Sequence, residues 1–213
     1  MTGTTTEGTT HPDAIGFGFA EIATLASMRG GDAAQSSAEA LRVAEYVNNP
    51  EFVTAGASSL VARGLATVEG DGELSVAGPT AAVATALSSA TRRMEISLLT
   101  ADGGESVIGV ESPDIHLLFQ PRAYFTWWVM AQRPDLSAAE ANLFVIKEHL
   151  RLNPQGGATI RRREEASGLT LYVKQGQGSW TVGLSNASED NIAQSTGLDD
   201  AALLAQIRSI RQD

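Results

Sequence analysis

The chain has 213 residues, 43% of them hydrophobic, with no cysteine and a net charge of −10 from 25 acids and 15 bases. That length buries one good core or two small ones. The missing cysteine removes disulfides, thiolate nucleophiles and sulfur-based metal sites and fits a cytoplasmic protein, and the acidic balance repels phosphate backbones unless the bases gather in one patch.

No run approaches the roughly 18–20 apolar residues needed to cross a bilayer, so no membrane insertion is expected. Met1–Pro12 is rich in Thr and Gly and nearly free of large apolar side chains. Such a segment cannot repay the entropy of ordering, and 1–12 reads as a flexible tail. It has neither the basic start nor the apolar stretch of a signal peptide.

Residues 14–29 read as a short strand or turn entering a helix, which Gly30-Gly31 ends. A second, amphipathic helix is expected over 36–48, where Ala40, Val43, Ala44 and Val47 share one face. Asn48-Asn49-Pro50 stops it and opens another over 51–63. Pro50 suits the first turn, where its missing N–H costs nothing, and Gly64 stands where a left-handed C-terminal cap is wanted. Leu65–Val68 and Leu74–Val76 flank the turn signal Glu69-Gly70-Asp71-Gly72-Glu73, and Gly78-Pro79 opens a small-residue helix to about Ala90. Helix, helix, hairpin, helix is the outline of a winged-helix module.

From residue 93 the period changes. Met94, Ile96 and Leu98 alternate with Glu95 and Ser97, the pattern of a half-buried strand. Ala101-Asp102-Gly103-Gly104 turns the chain into a strand over Ser106–Val110. Ser112-Pro113-Asp114 turns it again into a third, with Ile115, Leu117 and Phe119 on one face. Arg122–Met130 is a fourth strand or a helix start, and its aromatic content (Tyr124, Phe125, Trp127, Trp128) favours strand. Ser137-Ala138-Ala139-Glu140 is a capping box opening a helix to about Arg151, with Leu143, Ile146 and Leu150 buried. Strands follow at 158–165, 168–174 and 179–185, the last two pivoting on Gln175-Gly176-Gln177-Gly178. A final helix spans about Asp199–Arg211, with acids at its positive end, Arg208 and Arg211 at its negative end, and a stripe of Leu203, Leu204, Ile207 and Ile210. Residues 93–151 and 158–211 thus share one pattern, a strand meander followed by a helix.

Motifs of catalysis are missing. His11, His116 and His149 lack metal-ligand spacing. No Ser is framed as Gly-x-Ser-x-Gly, and no Walker motif occurs. Gly16-Phe17-Gly18 and Gly176-Gln177-Gly178 are isolated glycine pairs. Asp13, Asp102, Asp114, Asp190, Asp199 and Asp200 sit beside turn or cap residues, their ordinary structural place. No enzyme activity, cofactor or metal is expected. The basic clusters are Arg92-Arg93 and Arg161-Arg162-Arg163, the second running into Glu164-Glu165, so no nucleic-acid partner is expected. The aromatic run Tyr124–Met130 is either core or a partner patch. On a strand, Trp127 and Trp128 face opposite sides, and Trp is a usual anchor of protein interfaces.

The order of elements and three stretches resemble the EspG family, the ESX (type VII) secretion-associated proteins of actinobacteria. The first is Ala55–Val76 (AGASSLVARGLATVEGDGELSV), a small-residue helix ending in Arg-Gly-Leu before a short turn. The second is the strands of Met94–Phe119. The third is Gly157–Ile210, with consecutive arginines in a strand, a hairpin with an aromatic residue, and a last helix after an acidic pair. The resemblance implies an α+β fold whose central, mostly antiparallel sheet is flanked by helical bundles with quasi-two-fold halves. It implies a cytosolic, non-enzymatic chaperone that holds a helical secretion substrate. In such proteins the loop between the first two sheet strands and the C-terminal helices contribute to the contact. Here that loop is Asp102, Gly103, Gly104 and Glu105, and it is short.

The expected organisation is therefore one α+β domain over 13–213. Residues 13–92 are mainly helical with a small hairpin, and 93–213 form two meander-plus-helix units. The partner-binding candidates are Asp102, Gly103, Gly104, Glu105, Trp127 and Trp128. An alternative function is a transcriptional regulator with a winged helix over 36–90, whose recognition helix 51–63 offers Arg63 as its one cation. A small-ligand carrier built on the sheet is a third.

Overall fold

The alternating segments assemble into one antiparallel sheet. The computed structural model describes residues 14–164, 168–186 and 192–213. The expected tail, and residue 165 of the strand placed at 158–165, lie outside the described residues. The chain opens with β1 (Ile15–Gly18), α1 (Phe19–Ser27), α2 (Asp32–Ala40), α3 (Ala44–Val47), α4 (Pro50–Ala62), the ribbon β2 (Thr67–Val68) and β3 (Leu74–Ser75), and α5 (Gly78–Ser89). The first meander is β4 (Arg92–Thr100), β5 (Gly103–Glu111), β6 (His116–Arg122) and β7 (Thr126–Ala131), followed by α6 (Ala138–Leu152). The second is β8 (Gly157–Arg162), β9 (Thr170–Gln175), β10 (Trp180–Ser185) and β11 (Ala193–Leu198), followed by α7 (Asp200–Arg211).

The nine-stranded sheet has the order β1-β7-β6-β5-β4-β8-β9-β10-β11, and every pairing is antiparallel. The fold is α+β, as expected. The two meanders meet where β4 pairs with β8, from Met94↔Arg162 to Leu99↔Gly157.

Side-chain alternation divides the sheet between two cores. Ile108, Val110, Leu117, Phe119, Trp127, Val129 and Phe17 join Ile22, Leu25, Leu41, Leu60 and Leu87 of the helical region in one cluster. Met94, Ile96, Ile160, Leu171, Val173 and Val182 join Ile146, Leu150, Leu203, Ile207 and Ile210 in the other. Glu95 pairs with Ile108, so the two share the face covered by α1–α5, while Met94 and Ile96 point to α6 and α7. At Gly56 of α4 the backbone of α1 comes so close that an added Cβ would lie 2.1 Å from the Ala20 carbonyl oxygen. Only glycine permits that approach.

Three expectations change. The single helix over 36–48 is two helices: α2 starts at Asp32, and the chain breaks at Arg42, which adopts φ +59°. The break is a Schellman closure, in which the Val43 N–H donates to the Ala38 carbonyl at 2.8 Å and the Arg42 N–H to Glu39 at 3.1 Å. It buries both Leu41 and Val43, which one continuous helix would set on different faces. The same motif ends α4, where Leu65 N–H donates to Leu60 at 2.8 Å and Gly64 takes φ +68°.

The second change lies at Arg122–Met130. Arg122 ends β6, Ala123–Phe125 form a tight 3-10 turn, and only Thr126–Ala131 is the fourth strand. Tyr124 and Phe125 both sit at positive φ. The third is β11, a strand with no apolar alternation and five exposed residues. The caps behave as read. Ser137 and Glu140 exchange capping-box hydrogen bonds at 2.8 and 3.3 Å, and Asp199 caps α7 at Ala202 N–H, 2.8 Å.

Candidate functional site

The β4–β5 ladder runs from Arg92↔Glu111 to Thr100↔Gly103, leaving Ala101-Asp102 as a two-residue turn. Asp102, Gly103, Gly104 and Glu105 are all exposed there. The turn is fixed to α6: His149 Nε2 lies 3.0 Å from the Leu99 carbonyl oxygen, and Asn153 Nδ2 donates to the His149 carbonyl at 3.0 Å. Asp102–Glu105, His149 of α6 and Asn153, which caps that helix, line a groove of about 490 Å³. The α6 surface continues away from the turn. Phe144 is 64% exposed and Leu152 63%. With Glu148 they fall at i, i+4 and i+8 along one stripe of the helix. Leu136, Leu143, Phe144, Lys147, Arg151 and Trp180 line a mainly apolar groove of about 530 Å³ beside it.

Charges hold the walls of this second groove. Asp200 accepts a hydrogen bond from the Trp180 indole at 2.7 Å and pairs with Lys147. The Lys147 and Trp180 hydrogen bonds lower the Asp200 pKa below its ordinary value. Glu148 is likewise held low by its hydrogen bonds from Arg151, 2.7 Å away at the closest.

The tryptophans do not join the β4–β5 turn on this surface. Trp127 is buried with the helical region, and its indole N–H has no hydrogen-bond partner among the described residues. It lines a different groove, on the other face of the sheet, together with Gly104 and Glu105. Trp128 points to the opposite face from Trp127, half-buried, with the Arg122 guanidinium 4.3 Å from its ring centroid. Four of the six candidates thus meet α6, Trp127 lies across the sheet from it, and Trp128 stands two strands away. Sequence reading did not single out Phe144 and Leu152. Their signal was present: both fall off the stripe defined by Ile146 and Leu150.

Both basic clusters are engaged inside the molecule. Arg92 pairs with Asp213 at 2.5 Å, and Arg93 bonds Glu164 at 2.7 Å and Ser37 Oγ at 2.9 Å. Arg161 and Arg163 converge on Glu95 at 2.5 and 3.0 Å. Burial alone would raise the Glu95 carboxyl, but the hydrogen bonds from the two guanidiniums outweigh it and lower its pKa. Arg63, at the end of α4, donates to both carboxylate oxygens of Glu21 at 2.9 and 2.7 Å and to the Gly16 carbonyl at 2.8 Å.

Among the described residues no group of three or more His, Cys, Asp or Glu is placed to hold a metal ion. No helix of the described residues is long and apolar enough to cross a membrane. Comparison with protein-family models finds no match, and comparison with curated proteins finds none either.

Proposed function

We propose that this is a binding protein without catalytic chemistry, a cytoplasmic chaperone or adaptor of the EspG kind that holds a helical type VII secretion substrate. One observation carries the reading: α6 presents Phe144 and Leu152 to solvent, and His149 of the same helix borders the Asp102–Glu105 turn. An amphipathic helix lies along such a stripe with apolar residues one or two turns apart. The mixed charges beside it, Lys147, Glu148 and Arg151, form a polar rim. The regulator reading finds less support, because Arg63, the C-cap of α4 and its one nearby cation, is occupied by Glu21 and groove-reading helices need free donors.

Co-expression with helical-hairpin secretion substrates encoded beside the gene is the test. A soluble complex by gel filtration is expected with one of them, and Phe144→Asp should weaken it about tenfold or more, the loss of one hot-spot side chain. Failure with every such partner, or a complex indifferent to Phe144→Asp, removes the reading.

A further inference from the structure

On the face away from α6 the sheet is split. The β4–β5 ladder covers β5 from end to end, but β5 pairs with β6 only from Ile108↔Phe119 to Glu111↔His116. Continuing that register would set Ser106 opposite Pro121. The direction of the peptide groups follows from the flanking bonds. Arg163 N–H donates to the Arg93 carbonyl, so Arg93 faces β8 and Met94, Ile96 and Leu98 face β5. Their partners Gly109, Val107 and Glu105 face back to β4, and by alternation Ile108, Ser106 and Gly104 face β6. Ser112 N–H donating to the Ile115 carbonyl sets the same phase from the β6 side, and it turns Phe119 and Pro121 toward β5. Proline has no N–H to offer the Ser106 carbonyl. The ladder stops there for a covalent reason, and the β6–β7 hairpin leaves β5.

The gap is a groove of about 780 Å³. Gly104, Glu105 and Ser106 form one wall and the hairpin from Pro121 to Trp127 the other, with Leu41, Arg42 and Val43 at one end. Three of the four non-glycine residues at positive φ among the described residues, Arg42, Tyr124 and Phe125, border it. Tyr124 is 94% exposed and Phe125 74%. Backbone strain of this kind persists where surroundings hold it, and it gathers at binding sites.

We propose that this split takes an extended peptide segment of a partner protein, added as a strand along the open edge of β5. The groups offered fix the ligand's chemistry. Amides and carbonyls of Gly104 and Ser106 repeat at the two-residue period of a strand, so a second extended backbone satisfies them and a helix does not. Ile108 and Trp127 lie on the helical-region side of the groove, so the peptide residue that points there beside them is apolar. The buried Trp127 N–H in the wall has no hydrogen-bond partner among the described residues. This site shares Gly104 and Glu105 with the turn of the helical-substrate reading but uses none of the α6 stripe, so Phe144→Asp tests that reading and leaves this one standing.

The probe is a random-peptide phage library selected on the whole protein, with the enriched sequence then added as a free peptide and followed by NMR amide exchange. In the free protein Gly104 and Ser106 should exchange faster than Glu105 and Val107. The peptide should slow both by about tenfold or more. Pro121→Thr restores the donor opposite Ser106, lets β6 close the edge, and should lose the peptide. The proposal is overturned if no peptide is enriched, if a bound peptide leaves Gly104 and Ser106 unprotected, or if Pro121→Thr folds and still binds it. It is equally overturned if both amides are already as slow as Glu105 and Val107 in the free protein, a measurement that needs no variant to fold.

Discussion

The two faces of the sheet are each covered by helices, and each side carries a buried charge, but the charges are neutralised differently. Under α1–α5, Glu21 is 2% exposed and receives Arg63, Ser59 Oγ and the Gly18 N–H. Its arginine remains 43% exposed at the side chain and keeps much of its hydration. Under α6 and α7, Arg211 is 1% exposed, and its partner Glu111 is buried too. Arg211 donates to both Glu111 oxygens at 2.8 Å and to Asn142 Oδ1 at 2.7 Å. The difference teaches where a single truncation hurts. A half-solvated pair leaves water to step in, whereas a fully buried one leaves a naked charge.

The largest expected effect follows. Arg211→Ala should cost about 3–5 kcal/mol by denaturant unfolding, because it leaves the buried Glu111 with only the longer contact to Arg92, at 3.4 Å, and strips the bond from Asn142. Arg63→Ala, under the other face, should cost about half as much, since Ser59 and the Gly18 amide still hold Glu21. Equal losses would erase the distinction. Gly56→Ala comes next, at about 1–3 kcal/mol, as α1 and α4 are pushed apart. It should lower the melting temperature, read by thermal unfolding.

Glu95 sits at the seam between the halves and sharpens the comparison through pH. Its folded pKa is below the ordinary 4.5, so the stability it contributes is fully present above that value and is lost as pH falls through the folded pKa. Glu95→Gln should cost about 2 kcal/mol near neutrality and flatten the fall in melting temperature below pH 4.5. The smallest effect has the opposite sign. Arg42→Gly relieves a left-handed conformation that glycine adopts freely, and should raise stability by about 0.5–1 kcal/mol.

Much of the fold was legible because its causes are local. Alternation in Met94–Leu98 and Leu169–Val173, the Ser137–Glu140 box, and Gly64 after α4 each state their structure within a few residues. Arg42 did not announce its turn. It is a good helix former, and only the burial of Leu41 and Val43 on either side, a tertiary gain, holds it left-handed. The Ala123–Phe125 turn was hidden for a related reason: its aromatics read as strand, yet they stand in solvent at positive φ. β11 was missed because an exposed edge strand has no buried face to impose a period. Of the candidate surface, the Asp102–Glu105 turn was readable from its glycines. Its neighbour, the α6 stripe, was not, since nothing local says that His149 reaches Leu99.

The pairing of β4 with β8 carries one more consequence, for the order in which the molecule assembles. Within each meander, strands join their sequence neighbours, and such hairpins close over short loops. The seam Met94↔Arg162 to Leu99↔Gly157 instead closes a loop that holds β5, β6, β7 and α6. Nucleation can therefore start separately in the two meanders, with the seam closing late, as expected for contacts of high sequence separation. Substitutions along the seam then speed unfolding more than they slow folding.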